Sequence, residues 1–341
     1  MPPADAPDPG EAAAIERIVE SVKRMLTGMY PPGVRPMRRD AHPKHHGVVV
    51  GRFKVADDVP EALRHGIFAS PREFTAWIRL SNSAPRLQHD LRLDVRGFAL
   101  KLLNVAGPKL TEDEPDALTH DFLLASAPTF FVRNPTEYVP FSIAVEKKHP
   151  FTQFFFKGGR RPELRTLLAS LIRIKNPLAI PYWSQVPSRL GPHAVKYHVR
   201  PRVPHAEGGL GLHRDYLRRN MAATLRAREV VYDFLVQRQT DPAAMPIEDP
   251  VVRWDETASP FVKVAALVIP RQTFDGPEQM TAAEHLSYTP WRCLAEHEPL
   301  GGIQRVRRVV YREISTMRHA ANGVPRREPG PGATLPGSAL L

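Results

Sequence analysis

The chain has 341 residues, room for one large domain or two ordinary ones, and with 42% hydrophobic and 24% charged residues it has a folded protein's composition, which excludes wholesale disorder. Lys and Arg outnumber Asp and Glu by 47 to 36, a formal charge of +11 that an acidic ligand, an anionic membrane or a nucleic acid could each answer. The single cysteine, Cys293, excludes an internal disulfide and any Cys-rich zinc or iron–sulfur cluster, and it points to a reducing compartment. The basic residues are spread over 160–175, 189–219 and 305–327, without an RNP-like aromatic pattern or a Cys/His finger spacing, so specific nucleic-acid binding is not expected. The N-terminus carries acids and prolines where a secretory signal would need basic and apolar regions. The longest apolar run, from Val262 to Pro270, contains Lys263 and falls far short of the roughly 20 residues of a spanning helix. These features predict a cytoplasmic protein with no transmembrane segment; assembly into a homo-oligomer is left open.

Residues 1–10 and the Pro/Gly-rich tail 321–341 read as a disordered N-terminus and a flexible C-terminus, leaving 11–320 as a single domain. From Glu11 to Thr27, apolar Ile15, Ile18, Val19, Val22, Met25 and Leu26 recur at helical steps. Strands are expected at Gly47–Val55, Ala76–Ser81, Leu93–Val105, Ala194–Arg202, Glu229–Gln239 and Ser259–Pro270, which are rich in Val, Ile, Phe and Tyr between Pro, Gly and Asp. Helical spacing returns at Pro162–Lys175, Asp215–Leu225 and Gly302–His319. Strands in the middle with helices flanking them predict an α+β fold around an antiparallel sheet or barrel.

The last helix, IQRVRRVVYREISTMRH, is the most informative segment. At about 100° per residue, with Arg307 at zero, Tyr311 falls near ~40° and Arg318 near ~20°. Ile303, Val306, Val310, Ile314 and Met317 cluster at about 260–340°, and Arg305, Arg308 and Arg312 at about 100–160°. One tyrosine and two arginines therefore border the buried stripe, and a buried guanidinium needs an anionic partner because it cannot lose its proton. Glu313, the one acid on this helix, points elsewhere. A cation one turn before a tyrosine favours phenolate, which can ligate ferric haem, and Arg318 could then meet a propionate; taken alone, the helix favours the plainer reading of an arginine pair snorkelling to solvent beside a core tyrosine. His42, His45 and His46, ahead of the first strand, lack a Glu at HExxH spacing and a nearby Cys, so a solvated cluster is expected there and not a zinc site.

Taken together with WIRLSNSAPRLQHDLRLDVRGFALKL and HDFLLASAPTFFVRNPTEYVPF, these segments resemble the haem catalase superfamily in order and spacing from about Arg39 to Arg318. HPKHHG resembles its distal-histidine motif, IRLSNS its strand with Arg and Ser, and DVRGFALK its D-x-R-G-F-A-x-K signature. ASAPTFFVRNP is similar to the distal loop, AVKYHVRP to a barrel strand, and RVRRVVYREISTMR to the proximal helix. The resemblance implies a catalase-type antiparallel β-barrel with flanking helices that binds haem b. It makes Tyr311 the iron ligand, Arg307 its charge partner, His42 the distal acid/base and Ser81 the residue that orients it. Arg39, Arg79 and Arg318 would bind the propionates, Asp94 would be the access-channel acid, Phe130 and Phe131 would pack near the distal side, and Tyr138 would lie over the haem face.

Three positions depart from the family, the first being Tyr138, where it usually has a phenylalanine. Ser126 replaces an asparagine in the distal loop, where it would be a shorter distal donor, and Ala41 replaces a valine. The chain also ends soon after the proximal helix, without the family's wrapping segment and C-terminal domain, so the resemblance is to a minimal member. The implied function is that of a catalase-related peroxidase using hydrogen peroxide or an organic hydroperoxide with an organic electron donor. A fatty-acid-hydroperoxide enzyme of the allene oxide synthase type and a haem-binding protein without turnover remain as alternatives.

Overall fold

The structure, a computed structural model, describes residues 7–148, 154–155, 161–203 and 208–341. Strands β1 (Lys44–Val55), β2 (Glu73–Asn82), β3 (Arg96–Leu103) and β4 (Thr119–Ala125) form an antiparallel meander. After it come the short β5 (Tyr182–Trp183) and β6 (Ser188–Leu190), then β7 (His193–Pro201), β8 (Val230–Arg238) and β9 (Val262–Ile269). The sheet runs β5-β4-β3-β2-β1-β9-β8-β7-β6, and β5 pairs with β7 as well as β4. That double pairing closes eight strands into an antiparallel barrel with β6 hanging from β7, and closure removes the exposed sheet edges. The expected α+β barrel class is the observed one.

The two-residue period of the strands divides their side chains between the barrel interior and an outer face. Ala76, Ile78 and Leu80, Phe98, Leu100 and Leu102, and Phe122 and Leu124 join the central core, which also holds Phe53, Phe68, Tyr197 and Phe234. The alternate residues of β2, β3 and β4 point outward in register: Arg79 faces Ala99, which faces Leu123, and Ser81 faces Gly97, which faces Ala125. This outer patch is buried as well, because a helical layer covers it. Helix α1 (Glu11–Met29), α2 (Pro135–Glu146) and α6 (Gly302–Asn322) pack through Ile18, Leu26, Val139, Val306, Val310 and Ile314. Gly302 permits the approach of α6 to α2, since a Cβ there would lie 2.7 Å from Pro135 Cδ.

Several expectations change. Strand β1 starts at Lys44, with a bulge between His45 and Gly47, so His45 and His46 are buried members of the sheet and not a solvated cluster. Strand β4 and helix α2 were not foreseen: β4 is buried on both faces and shows no polar alternation, and α2 carries Pro140 in its interior, with Asn134 capping it by accepting from Glu137 N at 2.9 Å. Helix α3 (Arg161–Ser170) stops short of Lys175 because Ile172 leaves it to bridge the backbone of Asp94, which also delays β3 to Arg96. Helix α4 (Tyr216–Ala227) follows its expected span closely, whereas α5 (Pro277–His285) had no periodic signal.

The segment 321–341, expected to be a flexible tail, is instead laid along the barrel. Leu335 is 2% exposed, and β11 (Ala339–Leu340) pairs with β10 (Gln272–Thr273). Glu328 enters a buried cluster on Lys101 at 2.6 Å, beside Asp121, which is 2.8 Å from the same ammonium, and Arg292. No helix among the described residues is long and apolar enough to cross a membrane.

Burial pushes His46 and His198 down to about 4 and His297 to about 3, so all three are neutral in the folded protein near pH 7. His297 accepts from Ile67 N at 2.9 Å through Nε2, which leaves Nδ1–H to donate to the Tyr197 oxygen at 2.8 Å. An unfolded chain would take up these protons at about pH 6.5, where the folded one refuses them, so stability is present above that pH and is lost as pH falls toward 4. Urea unfolding at pH 7, 5.5 and 4.5 should show this decline, with a slope approaching about 1.4 kcal/mol per pH unit for each histidine; a flat profile would contradict it.

Candidate functional site

A cavity of about 140 Å³ lies between the outer faces of β2, β3 and β4 and helix α6. The barrel side contributes Arg79, Ser81, Gly97, Ala99, Leu123 and Ala125, and α6 contributes Arg307, Tyr311, Ile314, Ser315 and Arg318. The segment ahead of β1 adds Arg39, Asp40, Ala41 and His42.

His42 is held in a left-handed backbone conformation, φ 58°, with its N–H on Ser83 O at 3.2 Å and its carbonyl accepting from Arg79 Nη2 at 2.9 Å. Its Nδ1 lies 3.1 Å from Ser81 Oγ. Burial, followed by the charges of Arg79, Arg307 and Arg39, lowers the imidazole to about 3, so it is neutral at working pH. Gly97 sits directly beneath this pair: a Cβ there would lie 2.5 Å from His42 Nδ1 and 2.7 Å from Ser81 Oγ. The glycine of DVRGFALK is thus a steric requirement of the histidine's position.

On the helix side, Val306, Val310 and Ile314 turn into the α1/α2 contact, while Arg308 and Arg312 reach out to Glu112 and Arg305 binds Glu11. Arg307, Tyr311 and Arg318 are left facing the cavity, and Glu313 pairs with Lys23 at 2.8 Å, away from them. Burial raises the Tyr311 phenol above its ordinary value, opposed by Arg307 and Arg39 and reinforced by Asp40, whose own carboxyl is raised by burial. The phenol keeps its proton unless a further positive charge meets its oxygen.

The third group is a knot of guanidiniums. Arg39 binds Glu284 at 3.2 Å and the carbonyl of Leu286, while Arg318 donates to the carbonyls of Glu284 at 2.6 Å and Leu286 at 3.2 Å. Arg79 is 3% exposed and its Nε has no partner among the described residues. Burial, added to by neighbouring Arg39, pushes Arg79 well below its ordinary value and Arg318 down to about 9. Glu284 pairs with Arg39 and, at 4.0 Å, with Arg318, and Asp40 is the carboxylate in the lining itself, so Arg39, Arg79, Arg307 and Arg318 outnumber the carboxylates beside them. Tyr288 Oη and Ser315 Oγ are likewise buried without partners.

The structure therefore gathers Arg39, His42, Arg79, Ser81, Arg307, Tyr311 and Arg318 around one space. It does not bring Ser126 there: that hydroxyl accepts from Arg96 N at 2.9 Å and lies outside the lining. Asp94 is also elsewhere, accepting from Ala84 N and Gln88 Nε2. Phe130, Phe131 and Tyr138 form an aromatic cluster with Phe141 behind the cavity, and the Arg307 guanidinium stands 5.6 Å from the Phe130 ring centre. Sequence reading missed Gln185, Tyr288, Ser315 and Glu284. Gln185 lines the cavity with φ 64°, but neither it nor the others belongs to a motif that periodicity or spacing could single out.

Comparison with solved structures finds the same fold in catalases. A fungal catalase superposes with a TM-score of 0.66 at 16% identity, over 83% of this chain and 60% of that one. Catalase A from Saccharomyces cerevisiae gives 0.66 at 15% identity, over 84% and 64%. The chain thus spans less than two thirds of the length of these catalases, and at such identity the likeness is one of fold. No family model and no curated protein sequence matches.

Gly97→Ala should displace His42 or Ser81. The overpacking predicts a loss of about 1–3 kcal/mol in urea unfolding, and unchanged stability would mean that the pair has room to move.

Proposed function

We propose that this protein is a catalase-related haem peroxidase that reduces hydrogen peroxide or an organic hydroperoxide at the expense of an organic donor. The observation that carries the reading is the convergence on one cavity of a phenol with its arginine, a neutral imidazole braced by a hydroxyl, and guanidiniums in excess of carboxylate. Haem b fits these residues: Tyr311 would hold the iron, and Arg39, Arg79 and Arg318, including the unpartnered Arg79 Nε, would meet two propionates. A chain with one cysteine has no CxxCH, so the haem would be held without thioether bonds. When bound, the haem supplies redox chemistry at iron for cleaving the peroxide O–O bond.

The chain's own contribution is protonic and electrostatic. With Nδ1–H donated to Ser81 Oγ, His42 keeps its Nε2 lone pair free; it takes the proton of the hydroperoxide and returns it to the departing oxygen. The depressed imidazole keeps this base unprotonated across the neutral range. Arg307, one turn before Tyr311, lowers the cost of the phenolate, and Phe130 packs against that guanidinium. The full reaction, hydroperoxide plus a two-electron, two-proton donor, gives alcohol (or water), water and oxidised donor.

A second reading rests on the apolar wall of Ala99, Leu123, Ala125 and Ile314 and on Ser126 being engaged away from the cavity: a bulky fatty-acid hydroperoxide rearranged without a donor, as in allene oxide synthase. Hydroperoxide consumption with and without donor, measured beside oxygen evolution, separates the two. Donor-dependent loss supports the peroxidase, and donor-independent loss supports rearrangement.

Two variants test the site. Tyr311→Phe should lose most of its haem, read as the Soret absorbance per protein; unchanged haem content would place the ligand elsewhere. His42→Ala should retain haem and lose hydroperoxide turnover by at least ~10²-fold, whereas full turnover in that variant would remove His42 from the chemistry.

A further inference from the structure

Behind the guanidinium knot lies a second space, an open groove of about 540 Å³ between the start of β1, the loop ahead of α4, and α5. It adjoins the cavity through one layer of side chains. Arg38 lines the groove and its neighbour Arg39 lines the cavity, and the two grip opposite oxygens of the same Glu284 carboxylate at 3.1 and 3.2 Å. His45 lines the groove as well, with Nε2 3.5 Å from Glu284 and a buried Nδ1 that has no partner among the described residues.

The charges in the groove do not cancel. Lys44 is satisfied by Asp90 at 2.7 Å and Asp215 at 2.8 Å, which uses the groove's first carboxylate. Glu284, the second, is divided among Arg38, Arg39 and the more distant Arg318. Arg218 donates to the carbonyls of His46 and His45, each at 3.2 Å, and shares the field of Asp215 with Lys44, while Arg214 has only the carbonyl of Leu87, at 3.4 Å, among the described residues; Arg38, Lys44, Arg214 and Arg218 thus face two lining carboxylates, Asp215 and Glu284. Two guanidiniums bound to neutral acceptors on the wall of an open groove are fitted to a small organic anion.

We propose that this groove binds the reducing co-substrate, a small reductant ionised at an enediol or carboxylate. The inference rests on the peroxidase reading and names its donor class. An anion on Arg214 and Arg218 would sit one side-chain layer from the cavity, outside the space that the hydroperoxide needs. An enediol monoanion gives up two electrons and one proton, to which solvent adds the second proton, and a donor ionised at a spectator carboxylate gives up two electrons and two protons; either way the peroxide O–O bond is reduced to alcohol (or water) and water.

Ascorbate is the anionic probe and guaiacol the neutral one. Calorimetric titration of the holoprotein with ascorbate, without peroxide, should show one site, weakened at least tenfold in R214Q/R218Q. The KM for ascorbate should rise by the same factor while kcat stays within twofold, and the KM for guaiacol should not follow. Because Arg218 also anchors β1 carbonyls, R214Q alone, an exposed change, is the folding-safe control and should show a smaller shift in the same direction. No ascorbate binding, equal binding in the double variant, or a parallel rise in the KM for guaiacol would each overturn the proposal. Protein that lacks a Soret band but binds ascorbate through these arginines would overturn the peroxidase reading, and with it the donor role, while leaving the groove an anion site.

Discussion

Arg39, Arg79 and Arg318 reach one buried volume from three separate segments, and Glu284 pairs with the first and the last of them. Arginine cannot shed its proton to escape a poor environment, and an uncompensated buried charge costs several kcal/mol. The fold bears this cost through contacts made elsewhere, chiefly the packing of α6 on α1 and α2 and the closure of the barrel beneath it. A ligand carrying two negative charges would offset the imbalance and stabilise the fold by mass action. The same excess extends through Arg38 to the neighbouring groove, so the cavity and the groove belong to one electropositive system, with Glu284 at the boundary between them.

The outer face of β3 and β4 carries a second buried charge cluster with the opposite accounting. There Lys101 and Arg292 meet Asp121, Glu328 and Glu114, and each cation has at least two carboxylate partners. Opposing charges hold Glu328 down to about 2, and through it the C-terminal segment is tied to the barrel. The two clusters lie on the same sheet, Arg79 on β2 and Lys101 and Asp121 on β3 and β4. One is balanced within the chain and fastens a segment; the other is left cationic beside a cavity. Charge balance, more than burial, separates a structural role from a ligand-binding one.

Much of the helical side of the site was legible in one stretch of sequence. Side-chain direction around a helix follows from position alone, so Arg307, Tyr311 and Arg318 could be assigned a common face, and the apolar stripe a different one, before any neighbour was known. The ordered motifs likewise marked His42 and Ser81, and the barrel class followed from the strand-rich middle. Strand β4 was not legible, because a strand buried on both faces loses the alternation that reveals it. His45 and His46 looked like a polar cluster because nothing local shows that β1 begins before them and bulges between His45 and Gly47.

The residues that set the site's electrostatics were less accessible still. Glu284 comes from a short helix without periodicity, and its partners Arg39 and Arg318 are separated from it by long stretches of chain. Ser126 stands at a motif position, yet its hydroxyl is engaged by the backbone of Arg96, a contact set by the pairing of β3 with β4. Local pattern was sufficient for which face of each element is buried and for which side chains share that face, because those depend on backbone geometry within a single segment. Folding alone settled which charges meet, which remain uncompensated and which hydroxyls are already spent, because these are properties of distances between segments far apart in the chain.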